Sequence, residues 1–581
     1  MLTRSRLRTR RPIALGLLLV ALLFSGPGCW PLSVGDVGAG PPGATPPAGA
    51  LPPTVAPAVA PRSAGPPATL AADQTLTMIA GADDPATLDP ALAADAPSLF
   101  LIRQLYSGLV RFAPDLTVVP DLAARLPDVA PDGRTYTFTL RSDIHWPDGA
   151  PVTAADVAYS LERATDPALA APRPGSSLPA ALYLTDIAGV ADKLAGKAPT
   201  ITGVRTVDTT TVAIDLIAPR AAFLAKLTAG PAFVVDRRAV AAGPAWARQP
   251  AGTGPFRLRD WQPRARIVLV PNPGYYGGAP RLAQVVILLG AGAAGGVTQY
   301  EQGLVDVTSV PTDDLARVSD PADPLAPELT AVPQLATTFL GINAALPPFD
   351  HPEVREAFSL VVDRTKVARV MYKEQMRPAA GIVPPEMPGY TSLIAPAPLD
   401  VTRARRLLAD SAYHGAANLP RITLYTAGGD LGPMLQAVFS QTLGVDLELR
   451  ALAWSDYLDG LAAHRFPLYV LSWAADWPDP ASFLDALFRS TSPDNYSAFA
   501  DPQIDAALDA AAGDLDPASR ARRYAAIEQQ VLAQTPVVPL LQDVRYMLIR
   551  PYVHGLQVTP LGILSLHDVY LSSRTGTDET P

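Results

Sequence analysis

The chain contains a single cysteine, Cys29, among its 581 residues. One cysteine rules out intramolecular disulfides, cysteine-based zinc sites and iron–sulfur clusters. The fold must therefore be stabilised by buried apolar surface, and with 48% hydrophobic and 17% charged residues the chain has enough of it. At roughly 100 to 200 residues per domain, the length predicts three or four folded units.

The net charge of the chain limits the classes of molecule that it is expected to bind. The formal net charge is -9, and no basic block follows the N-terminus. Nucleic-acid binders need clustered lysine and arginine to displace counterions, so we expect no nucleic-acid partner. Beyond the N-terminal region no stretch approaches 18 uninterrupted apolar residues, so we predict no second membrane span.

Residues 1–28 have the pattern of an export signal. Arginines are concentrated in residues 4–11, and an apolar run follows in residues 13–24. As a helix this run covers about 18 Å, too short for a bilayer core of about 30 Å. A basic segment before a short apolar one is typical of secretory signals. General secretion is favoured, and Arg10-Arg11 leaves the twin-arginine route open.

Cys29 follows the small residues Ser25-Gly26-Pro27-Gly28. This arrangement resembles the cleavage site of a lipoprotein signal peptidase, after which the cysteine carries a lipid. That motif usually has leucine where this chain has Gly26. We predict lipidation at Cys29, the alternative being ordinary cleavage beside an incidental cysteine.

Residues 29–72 are rich in proline, alanine and glycine, with only Asp36 and Arg62 charged before Asp73. Such a segment cannot bury apolar surface, so we predict an extended tether that reaches on the order of 100 Å from the lipid. Residues 572–581 are polar, and we predict a disordered tail.

From Asp73 onward, strand and helix patterns alternate irregularly. Strict alternation over 135–140 predicts a half-buried strand, and 153–163 predicts a helix with a capping box. We also predict one helix over 350–364, capped by Asp350, and one over 481–488 with Asp479 as its N-cap. Asp516 and Pro517 repeat this cap signal before a long helix that ends near Pro536. Because the order lacks strict β–α–β alternation, the pattern indicates a mixed α/β protein of several domains.

A glycine-rich turn is the strongest enzyme-like motif. A predicted strand at 285–289 runs into Gly290-Ala291-Gly292-Ala293-Ala294-Gly295, the G-x-G-x-x-G pattern of dinucleotide-binding turns. Asp313 and Asp314 follow at the distance expected of a ribose-binding acid. The segment between offers only a very short helix and no second strand that leads to the acid. A simple strand–helix connection is therefore the favoured interpretation.

Other catalytic or metal-binding motifs are missing from the sequence. No two of the six histidines stand four residues apart, and there is no H-E-x-x-H, G-x-S-x-G or phosphate-loop pattern. We therefore expect no enzyme, no cofactor and no metal site, although a metal site assembled from distant residues is left open.

Asp476 is the most informative acidic residue. It lies between Trp473 and Trp477, after an apolar strand at 466–471. A carboxylate against an aromatic wall costs desolvation free energy unless a cation meets it. Two interpretations follow: a turn aspartate bonded to nearby backbone amides, or an anchor for a ligand ammonium.

Several blocks, taken in order, resemble one protein family. They are Thr87-Leu88-Asp89-Pro90, Leu105-Tyr106-Ser107-Gly108-Leu109-Val110, Asp132-Gly133-Arg134-Thr135-Tyr136-Thr137-Phe138, Trp146-Pro147-Asp148-Gly149, Ala155-Asp156-Val157-Ala158-Tyr159-Ser160, Gly252-Thr253-Gly254-Pro255-Phe256, Val354-Arg355-Glu356-Ala357 and the Trp473–Trp477 cluster. From Asp73 to Leu571 the chain resembles family 5 of the extracellular solute-binding proteins, the peptide-type receptors of ABC importers. Residues 183–216 are most similar to its oligopeptide-binding branch.

The resemblance implies a mixed α/β, periplasmic-binding-protein-like fold of type II with three domains. Two lobes close on a ligand, and an extra domain extends the first lobe. The implied boundaries are 73–106, 250–333 and 536–571 for lobe I, 107–249 for extra domain II, and 334–535 for lobe II (domain III).

The resemblance also implies where a ligand binds. Peptide-binding relatives grip an extended peptide through its backbone, and the matching segments here are a strand at Asp95 and Ala96 and the segment Trp473-Ala474. The aspartate that matches Asp476 holds the ligand's α-ammonium. Trp477 stands where a tyrosine is common, and no basic residue for the ligand carboxylate can be placed.

The implied function is capture of oligopeptides and delivery to an ABC permease and ATPase complex, without covalent chemistry or a cofactor. The receptor is expected to be a monomer, exported, and lipid-anchored at the outer face of the cell membrane or in the periplasm. Relatives also bind nickel chelates, haem and other solutes. The alternative from another class is an exported dinucleotide-dependent oxidoreductase that uses the Gly290–Gly295 turn.

The anchor gives the first testable prediction. Cys29→Ala should release the protein from the membrane fraction, because no other segment of the sequence is predicted to span or insert. The measurement is sedimentation of membranes in high salt followed by immunoblotting. A variant that still sediments with the membranes would show that something other than the lipid holds the protein there.

Overall fold

The computed structural model describes residues 69–79, 81, 83–170, 178–390, 394–395 and 398–573. The predicted export signal, Cys29, nearly all of the tether and residues 574–581 lie outside the described residues. The last described residues pair with the first: Ala71 donates a backbone hydrogen bond to Leu571, and Ser573 donates one to Thr69. The two ends of the folded chain therefore lie side by side.

Twenty-one strands are present in the described chain. They are β1 Thr75–Ile79, β2 Val110–Phe112, β3 Val118–Pro120, β4 Asp128–Val129, β5 Thr135–Thr139, β6 Val204–Thr206, β7 Thr211–Asp215, β8 Phe256–Gln262, β9 Arg266–Pro271, β10 Gln284–Leu288, β11 Val307–Ser309, β12 Leu329–Ile342, β13 Arg377–Pro378, β14 Thr423–Thr426, β15 Glu448–Ala451, β16 Leu468–Ala474, β17 Val537–Ile549, β18 Val553–His554, β19 Gln557–Val558, β20 Leu564–Ser565 and β21 Tyr570–Leu571.

Sixteen α-helices accompany these strands in the described chain. They are α1 Ala96–Leu105, α2 Ala154–Ala164, α3 Ala180–Tyr183, α4 Val190–Leu194, α5 Phe223–Lys226, α6 Arg237–Ala241, α7 Gly296–Glu301, α8 Thr312–Val318, α9 Pro352–Ser359, α10 Arg364–Tyr372, α11 Val401–Asp410, α12 Leu431–Leu443, α13 Trp454–Ala462, α14 Ala481–Phe488, α15 Pro502–Ala512 and α16 Pro517–Gln534. The mixed α/β class predicted from the sequence is confirmed.

One eleven-stranded sheet runs through most of the molecule. Its order is β15-β14-β16-β12-β17-β11-β1-β10-β9-β8, with β13 paired to β17 beside this path. We call the part from β11 to β8 lobe I and the part from β15 to β16 lobe II. The long strands β12 and β17 belong to both lobes, because β17 pairs with β12 along most of its length and with β11 at its end.

The pairing of β12 with β17 is interrupted at the boundary between the lobes. The register shifts between the Pro333 and Thr337 pairs, so that β12 has extra residues there. A bulge of this kind bends a strand and locally ends the ladder. Leu335, inside the bulge, donates instead to Pro560 at 2.8 Å and accepts from Ala475 at 2.8 Å.

A second, smaller sheet forms a separate layer. It has the order β4-β5-β7-β6 and packs helix α2 against its apolar face. Alternation of buried and half-buried residues in β5 follows the sequence pattern of 135–140. The helix begins as predicted, with a capping box between Thr153 and Asp156. We call this unit, with the hairpin of β2 and β3, the extra domain.

The helix predicted over 350–364 is wrong, because the chain forms two helices there. The first, α9, begins after His351 rather than at Asp350 and ends at Ser359. The second, α10, begins at Arg364 after its N-cap Asp363, whose side chain accepts from the Lys366 amide. This cap satisfies one of the free amides of a new first turn. The helix therefore restarts at Arg364, although the apolar periodicity of the sequence runs on without interruption.

The N-cap assigned to Asp479 is also displaced by one residue, since Pro480 precedes the first residue of α14. Asp479 nevertheless accepts from the Ala481 amide at 2.9 Å. Its carboxylate also forms a bidentate ion pair with the guanidinium of Arg520 on α16, and both residues are buried. The first residue of α16 follows Asp516, the cap predicted for it.

The glycine-rich turn forms a strand–helix connection. Gly290–Ala293 is a short 3-10 turn, and α7 has six residues. Gln299 donates from its side-chain amide to the carbonyls of Gly292 and Ala294, so the turn is bonded to its own helix. Asp313 and Asp314 lie in the first turn of α8. The interpretation as a simple connection fits this geometry better than a cofactor turn.

Within the described chain, every helix is too short or too polar to cross a bilayer.

The ion pair of Asp479 with Arg520 gives a prediction about stability. Asp479→Ala leaves a buried guanidinium without its carboxylate, and we expect a loss of about 3 to 5 kcal/mol in the free energy of unfolding. The matched control is Asp509→Ala, which breaks an ion pair of Arg489 with a carboxylate that is 72% exposed. That control should cost less than about 1 kcal/mol. Urea unfolding followed by tryptophan fluorescence measures both, and equal losses would contradict the assignment.

Candidate ligand-binding site

The C-terminal end of β16 presents a free strand edge. On one side β16 pairs with β12 over its full length, from Leu468 to Ala474. On the other side β14 reaches only Leu468 and Tyr469. Beyond Tyr469 no other strand of the described chain pairs with this edge, although the Tyr457 hydroxyl donates to the Val470 carbonyl at 2.6 Å. A strand edge without a partner can pair with an extended chain from outside.

Hydrogen-bond alternation identifies which residues face β12. Asn343 donates to the Pro467 carbonyl at 3.0 Å, and Ala475 donates to the Leu335 carbonyl at 2.8 Å. In an antiparallel pair such bonded positions recur every second residue. The odd-numbered residues of β16, Trp473 among them, therefore direct their main-chain groups at β12.

The even-numbered residues Ser472 and Ala474 direct their main-chain groups at the free edge. Ser472 is exposed and Ala474 is half-buried. The sequence predicted Trp473 and Ala474 for backbone contact with a ligand. In the structure the main-chain groups of Trp473 belong to the sheet, and Ala474 keeps the geometry that the prediction requires. Ser472 was missed because register cannot be derived from one strand alone.

Asp476 follows this edge directly and meets side chains of the extra domain. Its carboxylate interacts with the Tyr183 hydroxyl at the end of α3 and faces the ammonium of Lys226 at the end of α5. The Lys226 Nζ donates to Asp186 at 2.7 Å and lies 4.8 Å from the centre of the Trp477 ring. The segment after β16 therefore touches the extra domain through charged and aromatic groups.

Burial and a second acid make the Asp476 carboxyl unusually basic. Desolvation is the largest cause, and the negative charge of Asp494 adds to it. The Tyr183 hydroxyl and Lys226 act in the opposite direction, and together these effects raise the pKa of Asp476 to about 7. Burial also raises the pKa of Asp494, whose carboxylate accepts from the Tyr496 hydroxyl at 3.0 Å. Two acids in one poorly solvated place favour an incoming cation.

The two tryptophans beside Asp476 play different parts. Trp473 is buried in the core of lobe II, and its indole nitrogen donates to the Ser482 carbonyl at 2.7 Å. Trp477 packs edge-on against Tyr183, with ring centres 6.2 Å apart. Its buried indole N–H has no hydrogen-bond partner in the described chain. A buried donor without an acceptor costs free energy, and a ligand acceptor would relieve that cost.

Asp95 and Ala96 do not form the strand that was predicted for them. Asp95 is the N-cap of α1, with its side chain accepting from the Ser98 amide at 3.0 Å, and Ala96 is the first residue of the helix. The apolar residues of α1 pack into the core of lobe I, which fixes this segment as a helix. Ala96 is exposed. Neither residue is hydrogen-bonded to the segment that contains Asp476, as far as the chain is described.

Tyr183, Lys226 and Asp494 belong to the site but were missed by sequence reasoning. The first two lie in short helices of the extra domain, and the third lies in the loop after α14. Nothing in their local sequence marks them, because the fold brings them to Asp476 from distant parts of the chain. Across the described chain, no three His, Cys, Asp or Glu side chains converge so as to hold a metal ion.

Comparison with known proteins identifies similar sequences over most of the chain. The family described as bacterial extracellular solute-binding proteins, family 5 Middle, matches residues 117–495. The periplasmic murein peptide-binding protein MppA of Escherichia coli is 30% identical, over 82% of this chain and 89% of that protein. The periplasmic oligopeptide-binding protein OppA of the same organism is also 30% identical, over 84% and 90%.

A third relative carries a different name. The probable deoxycholate-binding periplasmic protein YgiS of Escherichia coli is 31% identical, over 81% of this chain and 89% of that protein.

Among solved structures, the Escherichia coli murein tripeptide-binding protein MppA matches with a TM-score of 0.71 and 28% identity, over 87% of this chain and 100% of that one. Burkholderia pseudomallei OppA matches with a TM-score of 0.70 and 27% identity, over 87% and 100%.

The groups around Asp476 predict the pH at which its carboxyl group loses its proton. The tryptophan fluorescence of the ligand-free protein should change with a midpoint at about pH 7, because Trp473 and Trp477 flank the carboxyl group whose pKa is raised to about 7. Asp476→Asn should abolish that transition. Lys226→Met should move it to higher pH, since the ammonium favours the ionised carboxylate. A transition that survives unchanged in Asp476→Asn would assign it to another group.

Proposed function

Because the chain belongs to family 5 of the bacterial extracellular solute-binding proteins, we propose that it captures oligopeptides between its two lobes and delivers them to an ABC permease and ATPase complex. The observation that carries this proposal is the free edge of β16 ending at Asp476. An edge of main-chain donors and acceptors followed by a poorly solvated acid matches the N-terminal end of an extended peptide.

Backbone pairing at Ser472 and Ala474 supports a peptide ligand. Every peptide presents the same pattern of N–H and C=O groups, so a strand added to this edge binds largely irrespective of side chains. Relatives whose names include murein peptide and oligopeptide binding support the same class of ligand. Ala96 remains a proposed contact from lobe I. It would act from the exposed start of α1, beside Asp95, rather than from a strand.

The position of Asp476 indicates which end of the peptide would bind there. A ligand ammonium would replace the weak compensation that Lys226 now gives and would hold the carboxyl group in its ionised form. Trp477 and Tyr183 would surround the ammonium, and aromatic faces attract cations. The peptide N-terminus would then lie at Asp476, and the chain would run back along the free edge of β16.

The mechanism that we propose is closure without covalent chemistry. Lobe II and the extra domain contact each other through Trp477 with Tyr183 and through the backbone bond from Ala221 to Ala512 at 3.2 Å. Bending at the bulge of β12 opposite β17 would open and close the cleft, since β12 and β17 are the strands that join the two lobes of the large sheet in the described chain. The family and the relatives are binding proteins, and no enzymatic step is needed.

The cellular location that we propose follows from the predicted export signal. Residues 1–28 would direct export, Cys29 would carry the lipid, and residues 29–72 would hold the receptor away from the membrane as a monomer. For the folded part of the receptor we propose three domains. They are lobe I with 73–106, 250–333 and 536–571, the extra domain with 107–249, and lobe II with 334–535. Relatives named as periplasmic proteins support an extracytoplasmic location.

A non-peptide solute is the second candidate, because one relative is named for deoxycholate. A bile acid carries a carboxylate and no ammonium. Placing that carboxylate beside Asp476 and Asp494 would bring like charges together in a poorly solvated site, which disfavours it. The same repulsion does not decide against a nickel chelate, because the overall charge of such a complex depends on its chelator.

Removal of the Asp476 charge tests the proposal. Asp476→Asn keeps the shape of the side chain, and we expect peptide affinity to fall on the order of 30-fold or more, because a charge-assisted contact worth roughly 2 to 5 kcal/mol is lost. N-acetylation of the peptide should weaken binding to the wild type by a similar factor. In the variant, acetylation should have little further effect. Isothermal titration calorimetry measures all four affinities.

The control is Asp459→Asn, an exposed acid on α13, which should bind like the wild type. If the losses from Asp476→Asn and from acetylation simply add, the two groups do not meet, and Asp476 is a structural turn residue. If the wild type binds bile acids and no peptide of any length, the ligand class is wrong.

A further inference from the structure

An acidic side chain of the long strand β17 reaches the C-terminal end of β16. The Asp543 carboxylate accepts hydrogen bonds from the hydroxyls of Ser472 and Thr338, at 3.2 and 3.3 Å. Ser472 and Thr338 lie directly opposite each other in the pairing of β16 with β12, so their side chains share one face of the sheet. The carboxylate therefore lies on the face that carries the exposed side chain of Ser472, the residue whose main chain is directed at the free edge.

The bulge of β12 is what places Asp543 outside the regular ladder. Its neighbours Gln542 and Val544 pair with Thr337 and Pro333, and the extra residues of β12 lie between those two pairs. Asp543 thus has no residue directly opposite it on β12, and its side chain is directed along the face of the sheet to β16.

The Asp543 carboxylate has no cation beside it in the described chain. Burial raises the pKa of Asp543, and the two hydroxyl donors are the groups that act against that shift. Arg377 lies opposite Gln542, the preceding residue of β17, but its guanidinium pairs with Glu386 at 2.7 Å. A half-buried carboxylate with two long hydroxyl contacts keeps unused acceptor positions, and its charge is unfavourable unless a cation arrives.

Several buried carboxylates elsewhere in the protein are paired with a basic side chain. These pairs are Asp89 with Arg163, Asp186 with Lys226 and Asp479 with Arg520. The lack of such a partner is therefore a local property of the face that carries Asp543.

A second acid makes the same region more negative. Tyr372, the last residue of α10, is half-buried, and its hydroxyl has a raised pKa because of burial and then the negative charges of Asp430 and Asp543. Asp430 is exposed and precedes α12, in the connection that follows β14, the strand next to β16. No basic side chain is among the charges that act on this phenol. A cation that enters here would meet two carboxylates.

A peptide strand paired with the free edge would direct one side chain to this face. The peptide residue opposite Ser472 has its side chain on the same face as Ser472, with the two Cβ atoms about 5 Å apart. The long apolar stems of lysine and arginine can lie over a neighbouring residue and carry the charged group beyond it. Such a side chain would pass over Ser472 and place its cation at the Asp543 carboxylate.

We infer that Asp543 is a specificity-determining residue that binds a cationic side chain of the ligand, lysine or arginine, at the peptide position opposite Ser472. The inference rests on the proposed function and adds a side-chain subsite to the proposed main-chain contacts. Because the proposed peptide N-terminus lies at Asp476, the cationic residue follows the first residue of the peptide. Its ammonium or guanidinium would give Asp543 the charge-assisted hydrogen bond that the chain itself does not supply.

The test uses tetraalanine and a series of variants of it in which lysine or norleucine replaces one residue at a time. Norleucine has the same four-carbon stem as lysine and no charge, and every peptide keeps a free N-terminus for Asp476. Isothermal titration calorimetry with the full chain should show lysine binding about tenfold more tightly than norleucine, the effect of roughly 1.4 kcal/mol. We expect this preference at one position, the second or third.

Asp543→Asn should remove the preference for lysine at that position and leave the affinity for tetraalanine unchanged. The amide oxygen can still accept from the two hydroxyls, so the fold should be retained. Without ligand, the melting temperature should equal or exceed that of the wild type, because a charge without a counterion is gone. The control is Asp459→Asn, an exposed acid on α13 of the same lobe, which should keep the wild-type preference.

Absence of a lysine preference at every position in the wild type would overturn the inference, whatever the variants do. An equal preference at all four positions would also overturn it, since the overall negative charge would explain that result. So would a preference that persists in Asp543→Asn, or a variant that melts far below the wild type, as expected of a structural aspartate. If neither tetraalanine nor any of its variants binds, the proposed function itself fails. Binding of tetraalanine without a lysine preference contradicts this inference alone.

Discussion

The pairing of β12 with β17 holds the two lobes together, and the remaining structure is arranged around it. These strands are the ones shared by both lobes of the large sheet. Their ladder is interrupted at the bulge between Pro333 and Thr337, where Leu335 bonds to lobe I on one side and to Ala475 on the other. If the sheet bends at this bulge, as we propose, the main-chain hydrogen bond carries the movement to the segment that contains Asp476.

Electrostatic compensation distinguishes the interior of the protein from its cleft. In the interior, buried charges are paired, as with Asp479 and Arg520, or satisfied by main-chain groups, as with Glu528, which accepts from the amides of Ile382 and Val383. At the free edge of β16, the Asp476 carboxyl group is compensated weakly, by the Tyr183 hydroxyl and Lys226, and a second acid, Asp494, acts against that compensation. Poorly solvated charges without partners lower stability, so their concentration beside a free strand edge is consistent with a site whose missing partners belong to a ligand.

The sequence was sufficient for features that are decided locally. The alternation in β5, the capping box at Thr153 and the cap at Asp516 depend on neighbours a few residues away, and each was predicted correctly. The single helix over 350–364 failed because apolar periodicity continued across a break that Asp363 creates. At the site, the flanking tryptophans marked Asp476 in advance. Tyr183, Lys226 and Asp494 could not be found, because tertiary packing alone brings them to Asp476.

Mass spectrometry of the protein purified from its native source is the most direct test of the central claim, that the cleft holds peptides by their N-terminal ammonium. Under native conditions we predict a set of bound species with the masses of short peptides, all with free N-termini, released when the protein is denatured. In the Asp476→Asn variant, prepared in the same way, these species should be strongly depleted. A single non-peptide mass, or N-blocked peptides bound equally by both proteins, would contradict the claim.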